Sequence, residues 1–129
     1  MNWWILISGI FATLTTIGHF AVGGKQFLRP MLEAPFDPVA KKVMHCVFHY
    51  ISTFLILSSI ALLAVGTGVP RSEESTVLVQ FIAANYAVFA IWQLALAATA
   101  DIPKGIFKLF QWMFFVLISG FALVGTWSF

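Results

Sequence analysis

Two histidines, His45 and His49, stand four residues apart inside an apolar segment that is long enough to cross a bilayer. On a helix this spacing puts both imidazoles on one face, one turn apart. Such a pair is a common way of presenting two nitrogen ligands, and neutral imidazole suits zinc, copper, iron and nickel. Because titratable side chains are costly inside a membrane, the pair requires a functional or structural reason.

A third histidine, His19, lies near the end of the first apolar segment. The first functional hypothesis therefore makes His19, His45 and His49 the ligands of a transition metal, with a role in transport or redox chemistry. In its haem version, His19 and one of the other two histidines ligate the iron from facing helices. Cys46 points about 100° away from His45 on a helix, so it is a weak candidate for the same site.

The composition predicts an all-α membrane protein. The chain is 60% hydrophobic and only 9% charged, whereas soluble domains are about 25% charged. All Asp, Glu, Lys and Arg residues fall within 25–42, 71–74 and 101–108. The four windows free of them are 1–24, 43–70, 75–100 and 109–129. Since each exceeds the roughly 20 residues that a spanning helix needs, we expect a four-transmembrane-helix bundle with antiparallel neighbours.

We expect a single integral membrane domain over 1–129, and the apolar windows with their flanking caps place its helices. The predicted helices are about 3–22, 38–65, 73–98 and 103–126. Gly23-Gly24 is interpreted as the stop of the first helix, and 23–42 as a long first loop in the headgroup region. Asp37-Pro38 is a typical helix start, because Asp can cap and Pro fits the first turn.

The distribution of basic residues predicts the orientation. The first and third loops hold six of the seven Lys and Arg residues, and the second loop holds one. Positive charge is retained on the cytoplasmic side, so we expect these two loops to be cytoplasmic and both termini to lie outside. The expected location is a bacterial inner (cytoplasmic) membrane.

With this orientation, the polar side chains fall at one depth. His19, His49, Gln93 and Gln111 each come out ~8–10 Å to the cytoplasmic side of the middle of their helices. We therefore predict a cofactor-binding layer that all four helices build, with His45 nearer the cytoplasmic mouth. On the second helix, a stripe is expected to face the interior, because lipid offers imidazole no partner. Its members are His45, His49, Ser52, Ile56 and Ser59.

Two further hypotheses explain the same residues. Histidines titrate near neutrality, so the layer could serve a proton- or anion-responsive small transporter or channel. Alternatively, the histidines only make interhelical hydrogen bonds, and the protein is a structural or assembly subunit. The expected partners are the lipid bilayer and a homo-oligomer or larger membrane complex.

Two classes of function are not supported by the sequence. The basic residues form no stripe, so we expect no nucleic-acid binding. The chain has no Ser/His/Asp arrangement, no paired intramembrane carboxylates and no glycine-rich phosphate loop. The one type of enzyme compatible with it is a membrane oxidoreductase that uses bound haem or quinone.

Overall fold

A computed structural model describes residues 1–68 and 72–128, and within them the chain is helical without any β-strand. Three helices are long and apolar enough to cross a membrane: Trp3–Glu33, Pro38–Thr67 and Glu73–Thr99. A fourth apolar helix, Gln111–Trp127, has 17 residues. Many large apolar side chains on the outer surface are exposed, which suits contact with lipid rather than water.

The elements follow one another with short connections. In order they are α1 (Trp3–Gly18), a π-helical segment (His19–Leu28, the π segment below), α2 (Arg29–Glu33), α3 (Pro38–Thr67), α4 (Glu73–Thr99), α5 (Gly105–Lys108) and α6 (Gln111–Trp127). Arg71, the basic residue of the second loop, lies outside the described residues.

The first helix does not stop at Gly23-Gly24, contrary to the sequence-based prediction. The chain continues through both glycines as the π segment and then as α2. At the end of the π segment, the Arg29 N–H donates to the Gly24 carbonyl, five residues back, which is the π-helical pattern. The two adjacent glycines do not stop the helix, because the wider π-helical segment accommodates them.

Local capping explains the bounds of α3. The Asp37 carboxylate accepts from the Ala40 N–H at 2.8 Å, and Pro38 occupies the first turn. At the other end, Gly68 adopts a φ of 109°, a left-handed conformation that favours glycine and ends the helix.

The last predicted helix, 103–126, is divided in the structure. α5 is a single turn, Leu109 leaves helical geometry, and α6 begins at Gln111. The Trp112 indole N–H donates to the Ile106 carbonyl at 3.0 Å across this break. The sequence contains no proline at the break, which is why an unbroken helix was expected.

The four longer helices pack as antiparallel neighbours. α1 packs against α3 on one side and α6 on the other, and α6 also packs against α4. The start of α1 meets the ends of α3 and α6, because Asn2 donates from its backbone N–H to the Gly66 carbonyl and from its side chain to the Gly125 carbonyl. The core includes Ile5, Ala12, Leu55, Leu62, Val79, Ile82, Ala83, Tyr86, Ile118 and Ala122.

The predicted interior stripe of α3 is out of phase with the packing. Ser52 and Ser59 are buried as expected, but His49 and Ile56 are exposed and His45 is only half-buried. The buried face instead follows Ser52, Leu55, Ser59, Leu62 and Gly66. At 100° per residue, His49 lies roughly 100° from the centre of that face. The buried serines and leucines therefore determine which face of α3 packs against the other helices, and the histidines do not.

Candidate functional site

A cavity of about 370 Å³ lies between the first helix, α3 and the start of α6. Its volume is in the range of small-molecule sites, and its walls are almost entirely apolar. Thr15, His19 and Gln111 are the side chains with polar atoms along it. The other lining residues are Leu14, Gly18, Val22, Gly23, Phe27, Phe48, Leu55, Phe110, Phe114 and Phe115.

His19 is the first residue of the π segment, and a hydrogen bond to α3 fixes its ring. Its Nε2 lies 2.8 Å from the Ser52 hydroxyl oxygen. That hydroxyl is also 2.9 Å from the Phe48 carbonyl oxygen, and when it donates its one hydrogen there it accepts from His19. In that arrangement a neutral His19 carries its proton on Nε2, and its Nδ1 offers a lone pair.

An aromatic wall supports the same imidazole. The Phe48 ring stacks on His19 at 4.1 Å between centroids, and Phe20 meets it edge-on at 5.4 Å. Nδ1 is on the Gly23 side of the ring, 3.9 Å from the position that a Cβ of Gly23 would take. Since both His19 and Gly23 line the cavity, the lone pair lies at its wall.

Gln111 provides the second polar group from the first turn of α6. Its Oε1 accepts a hydrogen bond from the Gln93 amide of α4 at 2.6 Å. This bond joins two of the predicted layer residues and leaves the Gln111 NH₂ group able to donate into the cavity. His19 and Gln111 thus line one cavity from two different helical elements, whereas Gln93 supports Gln111.

The remaining two predicted site residues lie elsewhere. The ring centroids of His45 and His49 are 5.1 Å apart, but neither residue lines the cavity. His19 pairs with Ser52 rather than with either of them. In residues 1–68 and 72–128, no group of three or more His, Cys, Asp or Glu side chains is arranged to hold a metal ion.

Sequence reasoning missed the apolar part of the site. Phe48 is not a member of the predicted stripe, yet it stacks on His19 and lines the cavity. Gly18 is not among the predicted site residues, yet it lines the cavity and nothing lies within 4 Å of the position of its Cβ. Phe48 stands four residues before Ser52, and this i, i+4 relation to a buried serine is the signal that could have identified it.

A second, smaller cavity of about 290 Å³ adjoins the first towards the connection between α2 and α3, residues 34–37, which we call loop 1. It shares Phe27 and Phe48 with the larger cavity and is otherwise lined by Leu28, Met31, Met44 and Val47.

Comparison with protein-family models, curated proteins and solved structures gave no match. The function of this chain therefore has to be inferred from its own side chains.

Proposed function

We propose that this is an integral membrane protein whose larger cavity binds a small lipophilic molecule that carries a hydroxyl-type group. The observation that carries the proposal is the convergence of His19 and Gln111 on an otherwise apolar cavity of about 370 Å³. A few placed polar groups in an apolar cavity are typical of small-molecule sites.

The polar groups suggest the chemistry of the ligand. His19 Nδ1 offers an acceptor, and the Gln111 NH₂ group offers a donor. A hydroxyl group can donate to the first and accept from the second at the same time. Lipophilic alcohols and phenols, including quinols, have this pattern together with an apolar body that suits the phenylalanine-rich walls.

The membrane arrangement belongs to the same proposal. α6 rises about 26 Å, close to the hydrocarbon thickness of roughly 30 Å, so it serves as a fourth span. The bias of Lys and Arg supports cytoplasmic first and third loops, outer termini and a bacterial cytoplasmic membrane. The cavity then lies in the cytoplasmic half of the bundle, and lipid is the route by which a lipophilic ligand arrives.

The competing hypotheses differ in their support. The transition-metal or haem role and the proton- or anion-responsive transport role stay predictions. A structural or assembly subunit is favoured by one observation: the His19–Ser52 and Gln93–Gln111 bonds each join two helices. In such a subunit, these bonds contribute stability alone and the cavity holds only disordered lipid.

A pair of matched probes separates ligand binding from a structural role. A ten-carbon alcohol and the corresponding alkane, each with a photoreactive diazirine, are offered to the protein in phosphatidylcholine nanodiscs. The alcohol is expected to label cavity-lining peptides at least tenfold more than the alkane, because only the alcohol can pair with His19 and Gln111. In His19→Phe this preference should fall to within twofold.

Three other results would count against the proposed ligand class, against the role of His19 or in favour of a structural subunit. Equal labelling of the wild-type protein by alcohol and alkane would count against the proposed ligand class. If His19→Phe keeps the full preference for the alcohol while its helices stay folded, the assignment to His19 is wrong. A loss of stability in His19→Phe without any labelling of the wild-type cavity favours the structural subunit.

A further inference from the structure

Three nitrogen-bearing side chains follow one outer face of α3 near loop 1. Lys42, His45 and His49 are spaced by three and four residues, so they lie one above another on successive turns. Lys42 and His49 are exposed and His45 is half-buried. The His45 and His49 rings are 5.1 Å apart and so share this face, which we call the basic face.

The neighbouring charged groups are engaged elsewhere. Among the described residues, the only ion pair joins Arg29 and Glu33 at 2.9 Å. The Asp37 carboxylate caps the start of α3, and the Lys41 ammonium lies over the Phe36 ring at 5.3 Å. No hydrogen bond of Lys42, His45 or His49 side chains is found within residues 1–68 and 72–128. The N–H donors of the basic face therefore have no acceptor among these residues.

The depth of the basic face matches a lipid headgroup and the ester region beneath it. From Lys42 to His49 the helix rises ~10 Å. The polar region of each leaflet is about 5–8 Å thick, outside a hydrocarbon core of about 30 Å. Lys42 flanks the apolar stretch of α3 and can extend towards the phosphates. The backbone of His45 and His49 lies ~5 and ~10 Å deeper than that of Lys42, and because helical side chains lean towards the N-terminus, both rings extend back towards the glycerol esters.

The same face continues as an apolar ridge. Thr53, Ile56 and Ile60 follow His49 at four, three and four residues, and all three are exposed. Ile60 exposes 60% of its surface. A chain molecule with an anionic end and an apolar tail would match this order of side chains, with its charge at Lys42 and its tail along the isoleucines.

We infer that the basic face binds an anionic phospholipid, with Lys42 and His45 on the headgroup phosphate and His49 on the glycerol ester region. Clusters of basic groups at the membrane surface attract anionic lipids, and phosphate accepts several N–H donors at once. The lipid acyl chain lies along Ile56 and Ile60. This lipid occupies a surface outside the cavity, so the inference does not depend on the proposed ligand of His19.

Native mass spectrometry of the whole protein tests this inference. The protein is released from nanodiscs that contain phosphatidylglycerol and phosphatidylcholine in equal amounts, and the bound lipids are counted. Wild-type protein is expected to retain phosphatidylglycerol in preference to phosphatidylcholine. Lys42→Gln should reduce the preference about fivefold, because one cation near the surface contributes about that factor.

Matched variants separate specific contacts from general charge. The double variant His45→Ala/His49→Ala should lose the preference at least as strongly as Lys42→Gln, whereas His45→Gln/His49→Gln keeps two N–H donors and should retain most of it. Lys108→Gln removes an equal charge from an exposed residue of α5 and should change the preference less than twofold. Circular dichroism checks that each variant is folded.

Three results would overturn the inference. One is an equal retention of the two lipids by the wild-type protein. Another is an equal loss of preference in Lys108→Gln and Lys42→Gln, which would indicate bulk electrostatics. The third is release of a two-chain species without bound phosphatidylglycerol, which would mean that a second copy covers the basic face.

Discussion

The two ends of the helix bundle are built in opposite ways. At the end that holds both chain termini, glycines let helices approach so closely that a Cβ on Gly66 would lie 2.6 Å from the Leu6 backbone nitrogen. At the loop-1 end, a Cβ on Gly18 would meet nothing within 4 Å, and a cavity opens beside it. Small residues thus serve close packing at one end and free space at the other. We call these ends the closed end and the open end.

The hydrogen bonds follow the same division. At the closed end, the buried Asn2 ties α1 to α3 and α6, and the Ser8 hydroxyl donates to the Ile118 carbonyl at 2.7 Å. At the open end, the His19–Ser52 and Gln93–Gln111 bonds hold polar side chains at the cavity wall. We conclude that the closed end provides rigidity and that the open end holds the candidate site.

The largest effect on stability is expected from one methyl group placed at the closed end. Gly66→Ala should lower the free energy of unfolding by about 1–3 kcal/mol, because the Leu6 backbone has to move. The matched variant at the open end is Gly23→Ala, where the nearest atom to the new Cβ is a Phe48 ring carbon at 3.7 Å. Reversible unfolding in mixed micelles should find Gly23→Ala neutral or up to about 1 kcal/mol more stable. Equal destabilisation by the two variants would remove the distinction between the ends.

A somewhat smaller effect is expected from Asn2→Ala. The substitution removes the cap on the Ile5 N–H and the bond to the Gly125 carbonyl, and should cost about 1–2 kcal/mol in the same unfolding assay. Asn2→Ser keeps a capping oxygen but has no amide to reach Gly125, so its loss should be intermediate. If Asn2→Ala has the same free energy of unfolding as the wild-type protein, the hydrogen bonds of Asn2 do not stabilise the closed end.

The smallest effect concerns the bond between Gln93 and Gln111. A double-mutant cycle with Gln93→Leu and Gln111→Leu should give a coupling of about 0.6 kcal/mol, the average for interhelical hydrogen bonds in a membrane protein. A coupling well above about 1.7 kcal/mol, the largest in that series, would show that the open end is structural as well.

Parts of the fold followed from the sequence, because charge and apolar length are strong signals. The windows without charged residues correspond to α1, α3, α4 and α6, and Asp37-Pro38 begins a helix as expected. The π segment could not be predicted, because glycine pairs stop most helices and only the packed chain shows that this pair does not. The break at Leu109 likewise has no signal in the residue types.

The candidate site was predicted only in part, for a related physical reason. His19 and Gln111 were singled out because polar groups in apolar helices are conspicuous, and both line the cavity. His45 and His49 were assigned to the interior on the argument that lipid offers imidazole no partner. At the headgroup level, however, an outward-facing imidazole finds acceptors in phosphate and ester oxygens. The buried face of α3 is determined by its serines and leucines, and the histidines do not lie on it.

One measurement tests the central claim most directly, namely that the open end holds a binding cavity. Gly18 lines the cavity, so Gly18→Leu adds a large side chain at its wall, whereas Gly120→Leu adds the same side chain at a helix position outside the cavity lining, and neither Cβ has an atom within 4 Å. Labelling by the photoreactive ten-carbon alcohol is compared in the two variants together with their unfolding free energies. We predict at least a tenfold loss of cavity labelling in Gly18→Leu, wild-type labelling in Gly120→Leu, and stability within about 1 kcal/mol of the wild-type protein in both. Undiminished cavity labelling of a folded Gly18→Leu protein would contradict the claim.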